Sequence, residues 1–186
     1  MIKHVVGDML DFTNDAPDFI VHQTNCEGRM GGGIAKTIKE KFPKVYVQYL
    51  EFLARERFEG KTNLLGEVSI STISLDYRKV GVLNVYAQDA CSENKAPYKG
   101  GRYTSYDALC EGLKLVRDMF VPQLTSSRSP VRIWMPEKIG CVKGGGDPDV
   151  VSAIIKSVFD NPEYADKVEL SLFTLPEKPK GIADAL

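Results

Sequence analysis

Six short runs rich in β-branched and aromatic residues alternate with helical patterns along this chain, and several of the runs are apolar almost without a break. They are IKHVV (2–6), FIVHQ (19–23), EVSIST (67–72), VGVLNVYA (80–87), VRIWM (131–135) and VELSLFT (168–174). A strand with one wet face alternates apolar and polar side chains, whereas a continuous apolar run has both faces covered. Strands of that kind separated by helices predict a three-layer α/β/α sandwich around a central mixed, mostly parallel sheet of about six strands. With 186 residues, 43% of them hydrophobic, the chain suits one domain spanning 1–186.

The helical patterns lie between the runs. GIAKTIKEKF places Ile34, Ile38 and Phe42 on one face, and Pro43 then opens a second helix, PKVYVQYLEFLARERF. TSYDALCEGLKLVRDMF lines up Leu109, Leu113, Val116 and Phe120 behind Thr104 as the expected cap. In the last pattern Asp147 caps, Pro148 takes the first helical position, and Val151, Ile154, Ile155 and Val158 face inward. No internal repeat is present; LTSSRSP (124–130) and the tail PEKPKGIADAL read as the least structured stretches.

Charge and cysteine usage exclude several classes. The 24 basic and 25 acidic residues nearly cancel, which disfavours a long nucleic-acid partner or a membrane surface but not a small anionic ligand. MIKHVVGDML lacks the features of a secretion signal, and no segment approaches the roughly 20 apolar residues of a membrane span, so a soluble, cytoplasmic protein is expected. Cys26, Cys91, Cys110 and Cys141 form no C-x-x-C pair, and His4 and His22 are too few for a recognised zinc pattern. No metal and no cofactor is expected.

Two glycine loops point to a ligand. NCEGRMGGGIAK (25–36) and IGCVKGGGDPDVV (139–151) each follow an apolar run and lead into a helix. Glycine lets a ligand approach the main chain, and the N–H groups of a helix start favour an anion such as phosphate. A nucleotide-triphosphate loop ending at Lys36–Thr37 needs glycine at positions held by Met30 and Ala35, and a dinucleotide fingerprint starting at Gly31 needs one at Lys36. Both spacings fail, while two such loops suit a diphosphate held from both sides; the bland alternative is a pair of tight turns.

Here the sequence resembles a macro domain, the ADP-ribose-binding α/β/α module. IVHQTN followed by GGGIA resembles the family's strand, asparagine segment and first glycine loop, with His22 and Asn25 where two asparagines often stand. VVGDM resembles the family's adenine-binding element, and WMPEKIGCVKGGGD resembles its second phosphate loop in the branch that holds ADP-ribose 1''-phosphate phosphatases and terminal ADP-ribose protein glycohydrolases. The resemblance implies that Asp8 meets the adenine amino group, with Met9 also among the substrate-binding residues. It implies further that Gly31, Gly32, Gly33, Ile34 and Ala35, with Gly140, Cys141, Val142, Lys143 and Gly144, hold the phosphates, and that Asn25 meets ribose hydroxyls. The expected partner is a small ADP-ribose derivative or an ADP-ribosylated macromolecule, bound by a monomer.

The expected activity is hydrolysis of ADP-ribose 1''-phosphate to ADP-ribose and phosphate; the alternatives are removal of ADP-ribose from modified macromolecules and non-catalytic reading of ADP-ribose. His22, Asn25 and Asp147 are the candidates at the reacting end. An imidazole titrating near about 6.5 suits proton transfer, although a histidine there also serves as a strand cap, and Asp147 serves equally as a helix cap. Cys26 and Cys141 lack a visible base and are not expected to act as nucleophiles. Tyr98, Lys99, Arg102 and Tyr103 either overhang the distal ribose or form an ordinary polar loop. In the glycohydrolase branch a lysine stands just after the strand equivalent to VGVLNVYA; here that position reads Ala87, Gln88 or Asp89, and the nearest lysine is Lys95, so lysine-adduct chemistry is not expected.

Overall fold

The computed structural model describes residues 2–90, 96–119, 129–164 and 166–176. In chain order the elements are β1 (Ile2–Val6), β2 (Phe19–Asn25), α1 (Gly33–Lys41), α2 (Pro43–Phe58), β3 (Val68–Ser74), β4 (Lys79–Gln88), α3 (Tyr106–Asp118), β5 (Val131–Pro136), α4 (Pro148–Phe159) and β6 (Val168–Thr174). The strands form one sheet in the order β1-β6-β5-β2-β4-β3. Every neighbouring pair is parallel except β3 with β4. This is the mixed, mostly parallel α/β/α sandwich that the apolar runs predict.

Alternation along the strands divides the core between the two helical layers. On β2 and β4, Ile20 and Val82 join Ile38 of α1, Val45 of α2 and Trp134 beneath those helices. Their neighbours Val21 and Leu83 turn the other way, into a larger cluster with Leu109, Leu113 and Val116 of α3 and Val151, Ile155 and Val158 of α4. Burial of both faces accounts for the unbroken apolar runs at the centre of the sheet.

Element ends follow local chemistry. Pro43 has no N–H to donate, so α1 stops at Lys41 and α2 starts afresh. β2 runs two residues past the expected end, which moves the first glycine loop outward. The cap of α3 is Ser105 rather than Thr104: its Oγ accepts from the Ala108 N–H at 3.3 Å. Thr104 is fully buried and holds other backbone. Phe120, most of LTSSRSP, the tail from 177, Cys91 and Lys95 lie outside the described residues.

Candidate functional site

A cleft of about 750 Å³ opens where the carboxyl ends of β1, β6, β5, β2 and β4 meet the loops that follow them. Its wall takes Gly7, Asp8 and Met9 from the end of β1, Gln23, Thr24 and Asn25 from β2, and Gly31 to Ala35 from the first glycine loop. Gln88 from β4, Pro136 from β5, Lys138 to Gly140 and Val142 to Gly144 around the second glycine loop, Phe173 to Leu175 at the end of β6, and Arg29 and Thr37 beside the first loop complete it. Crevices at the carboxyl ends of parallel strands are where sheets of this kind hold ligands, and the volume is within the range of small-molecule sites.

The two helices that leave the glycine loops start differently. At α4 the Asp147 carboxylate accepts from the Asp149 and Val150 N–H groups at 2.8 and 3.3 Å. At α1 the cap position is Gly32, which has no side chain to offer, and no acidic residue stands in the first turn. The N–H groups of a helix's first turn have no partner within the helix. Those of α1 therefore face the cleft unneutralised, with the positive end of the helix dipole behind them.

The second glycine loop is gripped from behind by Thr104. Its hydroxyl donates to Gly140 O at 2.8 Å, while the Thr104 and Tyr103 N–H groups donate to Gly144 O at 3.0 and 2.8 Å. A Cβ on Gly144 would overlap Thr104 Oγ1 and Gly140 O, and Gly140 has a φ of +73°. Glycine is thus required at both positions by sterics or backbone conformation. Across the cleft the Lys143 stem lies over Gly32, where an added Cβ would stand 3.3 Å from Lys143 Cγ. The two loops meet at that point, and a lysine ammonium stands beside the uncapped helix.

Most residues expected at the site line the cleft: Asp8, Met9, Asn25, Gly31, Gly32, Gly33, Ile34, Ala35, Gly140, Val142, Lys143 and Gly144. Cys141 does not. Its N–H donates to Lys138 O at 3.1 Å and its thiol to Ile139 O at 3.6 Å, so it shapes the turn from behind. Asp8 accepts from the Leu10 N–H at 2.9 Å and pairs with Lys41 at 3.1 Å.

The three residues expected at the reacting end are arranged otherwise. His22 is fully buried and absent from the cleft wall, because the parity of β2 sends it with Ile20 toward the α1/α2 layer. There its Nε2 bonds Asn84 Oδ1 at 2.8 Å, and Asn84 donates to Ser69 Oγ and Ser71 Oγ at 3.1 and 3.0 Å. Burial pushes the imidazole down to about 4, against a smaller opposing effect of the Asn84 bond. Asn25 lines the cleft, but its amide is engaged within the loop. Nδ2 donates to Arg29 O at 2.6 Å, and Oδ1 accepts from the Glu27 and Arg29 N–H groups. The amide thus shapes the loop, while Nδ2 keeps a second hydrogen for a ligand. Asp147 lies outside the cleft wall and caps α4. Replacing Asp147 by alanine is expected to cost about 1 kcal/mol, measured by urea denaturation, without altering ligand affinity.

The neighbouring residues have structural roles too. Burial, with Asp89 nearby, pushes the Cys26 thiol up to about 11, which removes it as a thiolate nucleophile near neutral pH. The Arg102 guanidinium lies between the Tyr98 and Tyr106 rings, at 4.5 and 3.9 Å from their centroids, and donates to Thr104 O. Tyr98, Lys99, Arg102 and Tyr103 are absent from the cleft wall, which favours the polar-loop reading. Sequence reasoning missed Gln23, Gln88, Lys138 and the Phe173–Leu175 wall. For Gln23 the available signal was β2 parity: it faces opposite to His22. Among the described residues no helix is long and apolar enough to cross a membrane, and no group of three His, Cys, Asp or Glu side chains could hold a metal ion.

Solved structures share the fold. The macrodomain of Mycobacterium tuberculosis DarG superposes with a TM-score of 0.65 at 22% identity, covering 96% of this chain and 99% of that one. Thermosipho africanus DarTG in complex with ADP-ribose superposes with a TM-score of 0.64 at 17% identity, covering 96% of this chain and 43% of the other. The chain has the fold of these macrodomains. In sequence it is similar to ADP-ribose 1''-phosphate phosphatases of yeasts. It is 30% identical to that of Meyerozyma guilliermondii over 111 residues, 59% of this chain and 62% of the relative. It is 29% identical to that of Lodderomyces elongisporus over 119 residues, 61% of this chain and 69% of the relative. The chain thus spans less than two thirds of the Meyerozyma protein it matches. No family model matches it.

Proposed function

We propose that residues 1–186 act as a single macro domain that binds ADP-ribose and hydrolyses ADP-ribose 1''-phosphate to ADP-ribose and inorganic phosphate. The observation that carries this reading is the pair of glycine loops facing each other across the cleft, one entering a helix with no cap and the other fixed by Thr104. Such a pair suits a diphosphate, and the yeast relatives bear the phosphatase name. In the reaction water attacks the terminal phosphorus, the bond from phosphorus to the 1'' oxygen breaks, and that oxygen takes a proton. Phosphoryl transfer of this kind passes through a loose transition state that depends more on positioning and charge stabilisation than on a strong base. The first-turn N–H groups of α1 and the Lys143 ammonium hold the diphosphate and so position the substrate for in-line attack at its far end, and the reading does without His22 as proton carrier.

Covalent chemistry through a lysine finds no support at the end of β4, where Ala87 is buried in the core and Gln88 is the residue lining the cleft. Borohydride treatment during turnover is expected to trap no protein adduct. The deciding experiment is phosphate release from ADP-ribose 1''-phosphate by the purified protein, beside calorimetry with ADP-ribose. Release with binding is the expected result. Binding without release would leave a reader, or a hydrolase acting on ADP-ribosylated macromolecules. Absence of binding at high micromolar concentration would remove the reading altogether.

A further inference from the structure

A chain of hydrogen bonds runs from the second glycine loop to the far end of the cleft, and its direction is fixed at one end. Gly140 O can only accept, so the Thr104 hydroxyl, 2.8 Å away, donates to it. The Thr104 oxygen then accepts from Gln23 Nε2 at 2.9 Å, which fixes the orientation of the Gln23 amide. The same Gln23 nitrogen donates to Gln88 Oε1 at 3.2 Å. With its oxygen engaged, Gln88 has its –NH2 as the end of the chain, on a side chain that lines the cleft. Flipping both amides would lose a bond. Thr104 could then serve Gly140 O or the Gln23 oxygen but not both, and the Gln23 –NH2 would take over the buried position against Gly140, where Oε1 now has no partner.

Sheet order says what this donor meets. Asp8 follows β1 at one end of the order β1-β6-β5-β2-β4-β3, the glycine loops follow β2 and β5 in the middle, and Gln88 ends β4 on the other side of them. A ligand whose base lies near Asp8 and whose diphosphate lies between the loops carries its last sugar toward Gln88. We infer that Gln88 is a specificity-determining residue that donates to an oxygen of the group beyond the diphosphate, with Gln23 and Thr104 as the positioning residues that aim it. This rests on the ADP-ribose reading above and adds which side chain tells ADP-ribose from ADP.

Calorimetry with ADP and with ADP-ribose, on wild type, Gln88→Leu, Thr104→Val and Thr104→Ser, tests it. Wild type is expected to bind ADP-ribose more tightly than ADP. Gln88→Leu is expected to leave ADP affinity in place, which also reports an intact fold, and to lower ADP-ribose affinity on the order of tenfold. Thr104→Val is expected to shrink the same preference, and Thr104→Ser, which keeps the hydroxyl, to restore it. An unchanged ratio in Gln88→Leu with ADP-ribose still bound, an equal fall for both ligands, or equal wild-type affinities would overturn the assignment alone. Wild type that binds neither ligand would remove the ADP-ribose reading, and this assignment with it.

Discussion

Replacing Gly144 by alanine is expected to lower affinity for ADP-ribose on the order of a hundredfold and to cost roughly 2 to 3 kcal/mol of stability, the range of an overpacked, backbone-constrained position. The added methyl would occupy the space of Thr104 Oγ1 and Gly140 O, neither of which is the loose end of a flexible side chain. Relief requires the loop to leave Thr104, breaking its hydrogen bonds to Gly144 O and Gly140 O together. Gly32→Ala makes the control for stability: its new methyl meets the stem of Lys143, which can swing aside without breaking a backbone hydrogen bond. Calorimetry and urea denaturation on the pair check the expectation, and a Gly144→Ala protein within threefold of wild-type affinity would disprove it.

The second large effect is on stability in acid. His22 is neutral in the folded protein, with its imidazole held at about 4 by burial, while the unfolded chain protonates it near about 6.5. As pH falls below that value the unfolded state binds the extra proton, so stability declines until the folded form protonates as well. The decline amounts to on the order of 3 kcal/mol between the two values. His22→Gln keeps a donor near Asn84 but does not titrate, so its stability profile should be flatter than wild type by about that amount. Carboxylates such as Asp15 and Glu137, held low by Arg132 and Thr174 respectively, are also lost in acid and are common to both proteins. Parallel profiles between pH 7 and 4 would contradict the buried placement of His22.

These two residues also mark how far the sequence could be read. The layers, the strand count and the two glycine loops follow from local signals: continuous apolar runs, helical periodicity and glycine before a helix start. Asp147 with Pro148 is legible for the same reason, since a cap and its helix are neighbours in sequence. His22 was harder to place because β2 is covered on both sides and its polar residues His22, Gln23, Thr24 and Asn25 alternate between the two faces, so the sequence does not say which parity faces the ligand. Thr104 and Ser105 are both good caps, and only the fold shows that the first is drawn toward the second glycine loop. Gln23, Thr104 and Gln88 become a unit solely through pairing across distant segments, for which a single sequence carries no local signal.

Placing β5 beside β2 has a consequence for assembly. The two glycine loops are remote in the chain and become neighbours only when those strands dock, so the cleft does not exist in any partly built sheet. Non-local docking of this kind is a slow and late step of folding. A ligand spanning both loops recognises only the finished sheet, and mass action then lends its binding energy to the closure of the whole strand array rather than to one edge of it. Protection from hydrogen exchange on ligand binding should accordingly appear across β2 and β5 together, well beyond the residues the ligand touches.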